Sequence, residues 1–433
     1  MANVRWRSWL VLAAFSVLNA LITVAIYTAL GIVLPLMVKD QGWSWTAAGF
    51  GFTVIGACIG GSSYLPALMI RRVGVRTTLL AGTGLVTAGL ACLAFTRSLP
   101  VYYLGAAFCG VGYQMMALIP ATHVLQALFK RKSSAFGIYF TMSSALGAGG
   151  PILVLGLLRT FGQDWRQVWV AEVFAALVIG VICALAMGGR AWLARESQRM
   201  DAELAVDRAL PKPVRMRVHR TEEDWTLAQA LRTPQFYILL FAYFGHVLCM
   251  ATTASFAMAH LTEHGVPTLT VGAMLTVEGL VGLAWRFLAG VLGDILDPRY
   301  LLLFALGALV AGMFALSVGH DYVSLIVFAV GTGIGFTVTA LTVTVLVLDY
   351  FGRRHNLEIF STICMVGAIS ALGPLIGGYM RDHLGGFAPT FQIFAGLNGV
   401  VFLAVLFMRP PHRSPRPAGG EAAPPPVFAN DLA

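Results

Sequence analysis

The stretch LTVGAMLTVEGLVGLAWRFLAGVLGD, residues Leu269–Asp294, decides the fold. It is long and apolar enough to cross a bilayer as an α-helix, which takes about 20 residues. Arg286 lies well inside it, and a charged side chain at membrane depth costs at least about 2.5 kcal/mol, so such residues usually serve a function. A planar guanidinium matches a carboxylate in a bidentate pair. The stretch therefore predicts a membrane helix whose arginine faces a cavity and binds an anion; the alternative is a permanent internal salt bridge.

Composition places the chain among integral membrane proteins. Of its 433 residues, 58% are hydrophobic and 11% are charged, whereas a soluble globular protein carries about 25% charged residues. The net charge of +9 is explained by basic loops on one side of a membrane, so we expect no nucleic-acid partner. The six cysteines lie in apolar segments without CxxC or Cys/His ligand spacing, which predicts packing roles and no disulfide framework, metal or cofactor.

Twelve apolar segments, separated by short polar breaks, predict twelve membrane spans. In the first half they cover residues 9–38, 46–70, 77–96, 101–128, 133–159 and 165–187, and in the second half 234–262, 269–293, 300–318, 322–349, 357–381 and 387–408. The first run is too long for a signal peptide, so we expect an uncleaved span. Most Lys and Arg residues fall in loops on the side of the two termini, which predicts that both termini are cytoplasmic in an inner membrane.

These spans predict an all-α membrane protein whose twelve transmembrane helices form two six-helix bundles related by pseudo-two-fold symmetry. We assign residues 1–187 to the N-terminal bundle, 188–233 to a cytoplasmic linker and 234–409 to the C-terminal bundle. The linker ends in DWTLAQALRTP (Asp224–Pro234), which predicts a short amphipathic helix. The tail, residues 410–433, is rich in Pro and Gly, a composition typical of disorder.

The two halves match without gaps at a constant offset of 223 residues. The segment CGVGYQMMAL (Cys109–Leu118) aligns with TGIGFTVTAL (Thr332–Leu341), and the pair Gly150–Pro151 aligns with Gly373–Pro374. Parallel repeats of this kind describe a secondary transporter whose site lies near the midplane between the halves. The Gly-Pro pairs predict breaks or kinks in the fifth and eleventh spans.

The chain resembles the major facilitator superfamily in the loop that follows the second span of each half. That loop normally carries the signature Gly-x-x-x-Asp-(Arg/Lys)-x-Gly-x-(Arg/Lys). The second-half copy, GVLGDILDPR (Gly290–Arg299), keeps the acid as Asp294, whereas the first-half copy, RRVGVR (Arg71–Arg76), has Arg71 at that position. The resemblance implies two six-helix bundles and transport by alternating access.

Within that superfamily the chain is most similar to monocarboxylate transporters and to their bacterial relatives, which include oxalate/formate exchangers. The similar segments are FKRKSSAFGIYFTMSSALGAGGPI (Phe129–Ile152), FGQDWRQVWV (Phe161–Val170) and WRFLAG (Trp285–Gly290). The resemblance implies that Arg286 binds the substrate carboxylate. Gly282 stands where animal members often have an aspartate, and the chain lacks the eleventh-span lysine of oxalate exchangers. A single buried positive charge suits a monoanion better than a dianion.

Other polar residues near mid-span are candidates for the same site. Glu278, two helical turns from Arg286, is a candidate proton carrier, because a carboxyl group in an apolar environment is more stable when neutral. His246 is a candidate for proton coupling or for substrate binding. Further candidate substrate contacts are Tyr27, Tyr113, Gln114, Phe336 and Thr337. The alternatives are solvation near the outer mouth for Glu278, a hydrogen bond to a helix carbonyl for His246, and packing for the others.

The altered loop signature predicts a gate with exchanged charges. We expect Arg71 and Arg72 to pair with Asp349 or Glu358 at the cytoplasmic ends of the tenth and eleventh spans. In the second half, the resemblance implies that Asp294 keeps the usual polarity and faces residues 130–134.

The sequence predicts a secondary active transporter that moves a small organic monocarboxylate by alternating access, coupled to protons and working as a monomer in the lipid bilayer. The alternative within transport is a facilitator-type exporter of larger amphiphilic compounds. An enzyme is not expected, since no His/Asp/Glu constellation and no phosphate-cradling loop stands at a membrane edge. A sensor would carry a larger soluble output domain than the linker supplies.

Overall fold

The computed structural model describes residues 2–129, 132–189, 192–196, 198–199, 225–292, 296–319, 321–352 and 355–411. All regular secondary structure within these ranges is helical. Eleven helices there are long and apolar enough to cross a membrane, and a bent pair of shorter helices completes twelve spans. The all-α prediction with twelve spans is confirmed. Asp294, residues 130–131 and 353–354, most of the predicted linker and most of the predicted tail lie outside the described residues.

The twelve spans alternate in direction. The start of the first span and the end of the twelfth span therefore lie on the same side of the molecule, which we call the terminal face. The first half contains the first span (Ala2–Thr23, a π-helical turn at Val24–Thr28, and Ala29–Gln41), the second (Trp45–Gly61 and Tyr64–Val73), the third (Val75–Ala94), the fourth (Leu99–Met116 and Leu118–Leu128), the fifth (Lys132–Ala148 and Gly150–Thr160) and the sixth (Trp165–Ala186). The second half contains the seventh span (Pro234–Glu263), the eighth (Thr268–Leu292), the ninth (Pro298–Val318), the tenth (Tyr322–Phe351), the eleventh (Asn356–Gly367, a 3₁₀ turn at Ala368–Leu372, and Gly373–Leu384) and the twelfth (Ala388–Phe407).

Helix ends follow local sequence signals. The Ser44 hydroxyl accepts a hydrogen bond from the Ala47 amide at the start of the second span, the usual role of an N-cap serine. The seventh span begins at Pro234 behind the cap Thr233. Gly42 ends the first span with φ of +66°, a left-handed conformation that glycine adopts without steric cost.

Both Gly-Pro pairs interrupt their spans, as predicted. The fifth span stops at Ala148 and restarts at Gly150, with Pro151 in the first turn of the new helix. The eleventh span passes through a 3₁₀ turn before it restarts at Gly373, which precedes Pro374. Proline lacks an amide hydrogen and cannot continue the ladder of a helix interior.

Two irregularities were not predicted from the sequence. The second span bends by 50° between its helices Trp45–Gly61 and Tyr64–Val73, at Ser62 and Ser63. The first span contains the π-helical turn Val24–Thr28, a feature that often marks functional sites. Both lie at mid-depth, where a helix break is tolerated only against protein or a water-filled cavity.

The halves pack closely along two stripes of glycine. Gly49 and Gly56 of the second span face the eleventh span, where an added Cβ at Gly56 would lie 2.6 Å from the Ala371 Cβ. At the same offset of 223 residues, Gly272 and Gly279 of the eighth span face the fifth, and a Cβ at Gly279 would lie 3.1 Å from the Ala148 Cβ. We call these contacts the two seams. Their repetition supports the pseudo-symmetry of the halves.

The seam between the second and eleventh spans is tight at the face opposite the termini, which we call the opposite face, and is wider toward the terminal face. At the opposite face, the Asp382 carboxylate accepts hydrogen bonds from the Trp45 and Thr46 amides, at 3.0 and 2.7 Å. Toward the terminal face, a Cβ at Gly60 would have its nearest neighbour at 3.7 Å, and one at Gly61 would meet no atom within 4 Å. Among the described residues, the second and eleventh spans are therefore further apart toward the terminal face than at the opposite face.

A short helix precedes the seventh span on the terminal face. It covers Leu227–Ala230 and is closed by a capping box between Thr226 and Gln229. The Trp225 amide donates a hydrogen bond to the Phe351 carbonyl at the end of the tenth span, 3.0 Å away. The predicted short helix at the end of the linker is thus confirmed as a single turn that packs on the second half.

Candidate functional site

A cavity of about 450 Å³ lies between the halves at mid-depth. The first, fourth and fifth spans form one wall, and the seventh, eighth and tenth spans form the other. Its polar lining residues are Asn19, Thr23, Thr28, Tyr113, Ser143, Ser144, Thr253, Glu278, Arg286 and Thr337. This placement between two repeats near the midplane is typical of substrate sites in secondary transporters.

Arg286 reaches this cavity because it continues the glycine stripe of the eighth span. Gly272, Gly279 and Arg286 are spaced by seven residues, which puts them on one helical face, toward the fifth span. Nη1 of Arg286 donates a hydrogen bond to Oγ of Ser144, 2.8 Å away. Arg286 takes part in none of the ion pairs found among the described residues. The guanidinium therefore enters the cavity without a described carboxylate partner, contrary to the salt-bridge alternative.

Glu278 lines the same cavity from the same helix, closer to the opposite face. Eight residues separate it from Arg286, about 12 Å along the helix axis, so the two side chains are not in direct contact. Its carboxyl group lies beside the Thr332 hydroxyl of the tenth span. The cavity thus contains one cationic and one acidic side chain, held apart on one helix.

Gly282, at the position where the resemblance led us to look for an aspartate, packs the eighth span against the tenth. A Cβ at this position would lie 2.7 Å from Oγ1 of Thr337 and 3.1 Å from the Gly333 carbonyl oxygen. No side chain fits there without a shift of its neighbours. The missing acid is therefore explained by close helix packing, which leaves Arg286 without that partner.

The wall from the first half is lined by neutral polar groups. The Asn19 amide donates a hydrogen bond to the Ser143 hydroxyl, with an Nδ2–Oγ distance of 2.6 Å. The Thr23 and Tyr113 hydroxyls lie 3.4 Å apart. Thr23 directly precedes the π-helical turn of the first span, and Thr28 ends that turn. These hydroxyl and amide groups face Arg286 across the cavity and can orient an oxygen-rich ligand.

Five of the predicted site residues line this cavity: Tyr113, Glu278, Arg286, Phe336 and Thr337. Gln114 and Tyr27 do not, although the Tyr27 ring packs edge-on against that of Tyr113 with centroids 6.1 Å apart. His246 is also absent from the lining. Its buried imidazole lies against the Tyr243 ring, 4.9 Å between centroids, and Tyr243 packs in turn against Phe360 of the eleventh span. His246 is thus a buried side chain outside the cavity lining.

Sequence reasoning missed six polar lining residues: Asn19, Thr23, Thr28, Ser143, Ser144 and Thr253. Asn19 had a usable signal, since it is a polar residue inside an apolar run. The two serines lie in the segment FTMSSALGAGG, where small residues also predict close helix packing. Their role depends on which helices face them, and the sequence does not contain that information.

The predicted gate residues lie on the terminal face. Arg71 donates a hydrogen bond to the Tyr64 hydroxyl, 3.1 Å away on its own helix. Glu358 lies 3.7 Å from His355, and Asp349 is buried at the end of the tenth span. Asp294 lies outside the described residues. The pairing of Arg71 or Arg72 with Asp349 or Glu358 stays a prediction.

Comparison with known proteins identifies relatives of the whole chain. A family model described as Major Facilitator Superfamily matches residues 15–370 and 239–432. Monocarboxylate transporter 6 of Mus musculus is 24% identical over 434 residues, covering 94% of this chain and 88% of that protein. The oxalate:formate antiporter of Oxalobacter formigenes is 22% identical and covers 62% of this chain and 63% of its own length. The crystal structure of a D-xylose–proton symporter superposes with a TM-score of 0.67 at 16% identity, covering 93% of this chain and 96% of that one.

Proposed function

The chain belongs to the Major Facilitator Superfamily, and from this premise we propose that it is a secondary active transporter for a small organic monocarboxylate. The proposal rests above all on Arg286, a guanidinium that faces the central cavity and has only the Ser144 hydroxyl as its described partner. A cation in a low-dielectric cavity stabilises an anion more strongly than one in water. Relatives named as monocarboxylate transporters support the same substrate class.

One cationic side chain in the cavity fits one carboxylate. The bound anion would neutralise Arg286, and its apolar part would lie against Phe140 and Phe336, which also line the cavity. The neutral polar wall around Asn19 and Tyr113 would contact oxygen atoms beyond the carboxylate. A large amphiphilic compound has less support, because the cavity volume is about 450 Å³, near the lower end of the range for ligand pockets.

Coupling to protons is part of the proposal. Glu278 is the acidic residue of the cavity lining, and we propose that it carries the proton. It lies far enough from Arg286 to bind a proton while the anion occupies the guanidinium. His246 is less suited to this role, because it does not line the cavity.

The terminal face is proposed to be cytoplasmic, in accord with the basic loops on that side. The open cavity would then face the cytoplasm. The proposed boundaries of the bundles remain residues 1–187 and 234–409, and a monomer contains the complete cavity.

The decisive experiment measures uptake of labelled lactate, pyruvate, formate and oxalate into proteoliposomes, with and without a pH gradient. We expect uptake of at least one monocarboxylate, stimulated by the gradient. Arg286→Ala should reduce it by about 100-fold or more, since two charge-assisted hydrogen bonds are lost, whereas Arg286→Lys should keep part of it. The control Arg159→Ala removes an exposed arginine at the end of the fifth span and should transport normally. Full carboxylate transport by Arg286→Ala would refute the proposal.

A further inference from the structure

We propose that Ser144 is the contribution of the first half to the anion site: it positions the Arg286 guanidinium and donates its own hydroxyl hydrogen to the bound carboxylate. This inference rests on the proposed function. Ser144 belongs to the fifth span and Arg286 to the eighth, so the hydrogen bond between them crosses from one half to the other. An anion held by both groups is bound by the two halves at one point.

The fifth span presents Ser144 to the cavity by its helical spacing. Phe140, Ser144, Gly147, Ala148 and Pro151 all line the cavity, and positions separated by three, four and seven residues share one face of a helix. On the same side of this helix but closer to the opposite face of the molecule, Ala148 is in close contact with Gly279. Ser144 is therefore the first residue on this face at which the two helices are far enough apart to hold side chains between them.

Arg286 and Ser144 have hydrogen-bond donors without a described acceptor, and a bound anion would supply the acceptor atoms. A guanidinium has five N–H donors, and Nη1 of Arg286 donates to Ser144. A serine hydroxyl that accepts this bond still has one hydrogen to donate. The described residues supply no carboxylate in an ion pair with Arg286. A carboxylate beside Arg286 and Ser144 would accept hydrogen bonds from the guanidinium N–H groups of the second half and from the hydroxyl group of the first half.

The adjacent serine has a different partner. Ser143 accepts a hydrogen bond from Asn19 of the first span, whereas Ser144 accepts one from Arg286. Two neighbouring hydroxyls thus point to the first and eighth spans, respectively. Ser143 holds the first half together, and Ser144 acts between the halves. The two serines are not interchangeable, although they are identical in chemistry.

The test is the concentration dependence of formate and pyruvate uptake by proteoliposomes. Ser144→Ala should raise KM about tenfold for both anions, with the saturating rate within about twofold of wild type, because a contact made in the bound state is lost. Formate is a bare carboxylate, so equal effects on the two anions locate the contact at the carboxylate. Ser144→Thr, which keeps the hydroxyl, should restore KM to within about threefold. Thr141→Ala, an exposed hydroxyl three residues earlier, should leave both parameters unchanged.

Two results would overturn the inference: an unchanged KM in Ser144→Ala, whether or not the saturating rate falls, or a KM effect on pyruvate alone. Failure of the proposed function is seen separately, in wild-type protein that takes up neither anion. In that case a second measurement still tests the positioning role. Phenylglyoxal modification of Arg286, followed by peptide mass spectrometry, should be several-fold faster in Ser144→Ala than in wild type and in Thr141→Ala. Equal modification rates would refute it.

Discussion

At the residue scale, the substitution of an acid by glycine at position 282 has a packing explanation. The space that a side chain would need is occupied by Oγ1 of Thr337 and the Gly333 carbonyl. Close approach of the eighth and tenth spans is thus incompatible with an aspartate at this position. Arg286 consequently has a hydroxyl as its described partner, and the anion that we propose it binds would not compete with a carboxylate at position 282.

Gly282→Ala should lower the stability of the protein by about 1–3 kcal/mol, the usual effect of overpacking. Thermal unfolding in detergent measures it. Thr337→Ala in the same chain should recover part of the loss, because Oγ1 is the nearer of the two obstacles. Gly147→Ala is the matched control: a Cβ at Gly147 meets no atom within 4 Å, so this variant should be at least as stable as wild type. Equal stability of the Gly282 and Gly147 variants would contradict the packing explanation.

The sequence predicts Arg286 well and its surroundings poorly. A lone cation inside an apolar helix stands out without knowledge of any neighbour. The importance of Ser144 and Asn19 depends on contacts with other helices, and serine is also a common packing residue in membranes. His246 lies at the right depth, but it is buried and does not line the cavity. Depth along a span is readable from sequence, whereas the neighbours of a side chain are not.

At the element scale, the twelve spans and the two Gly-Pro breaks follow from hydropathy and proline chemistry. The 50° bend of the second span at Ser62 and Ser63 was not predicted, although it has the same chemistry: Pro66, in the first turn of the following helix, cannot donate the helical hydrogen bond to the Ser62 carbonyl. Ser63 aligns with Arg286 in the duplication. The second span is therefore broken at the position where the eighth span, its equivalent in the second half, is continuous and carries Arg286. This divergence has a sequence signal, because the second half has Ala289 at the position that aligns with Pro66.

The contact between the eleventh and second spans closes the opposite face. The Asp382 carboxylate accepts bonds from two amides at the first turn of the second span and from the Thr46 hydroxyl, 2.5 Å away. A carboxylate is favoured at a helix N-terminus by the unpaired amides and the helix dipole. The equivalent of Asp382 in the first half is Arg159, whose charge does not suit the N-terminus of the eighth span. Capping across the halves is therefore confined to one seam.

Asp382→Ala should loosen this closure. We expect Thr53→Cys, which is buried in the same seam, to react about 5–30-fold faster with an impermeant maleimide added at the opposite face, in a background without native cysteines. This range corresponds to about 1–2 kcal/mol, the cost of a lost cap. The control Asp321→Ala removes a carboxylate that bonds Ser324 on its own helix and should not change the rate. An equal rate in Asp382→Ala would show that the cap does not hold the face closed.

At the scale of the whole molecule, the duplication explains the architecture and its asymmetry explains the site. Both halves use glycine pairs at equivalent positions to bring their seam helices against the opposite bundle. The charged groups of the cavity lining, Arg286 and Glu278, both belong to the second half, whereas the first half supplies neutral polar groups. Substrate and proton would thus be carried by one helix, and the other half would respond to what that helix holds.

Glu278→Gln should abolish accumulation driven by a pH gradient, because an amide cannot take up the proton. Exchange of labelled for unlabelled pyruvate should persist, since Arg286 is retained. Uptake and exchange measured in the same proteoliposomes separate the two effects. The control Glu172→Gln alters another buried carboxyl, in the sixth span and outside the cavity lining, and should keep gradient-driven uptake. Accumulation that survives in Glu278→Gln would assign the proton to another group.

Under the proposed proton coupling, the opposite charges of Glu278 and Arg286 also determine how the carrier responds to voltage. With Glu278 ionised, the empty cavity is electrically neutral, and it is neutral again when one anion and one proton are bound. Reorientation of the empty carrier and of the loaded carrier then moves no net charge across the membrane, so the membrane potential does no work on the cycle. In Glu278→Gln the empty cavity carries one positive charge, on which a potential of 100 mV acts with about 2.3 kcal/mol over a full crossing. The Glu278 carboxyl group thus makes the transport cycle insensitive to the membrane potential. Without it, the potential drives the cavity of the empty carrier toward the negative side of the membrane.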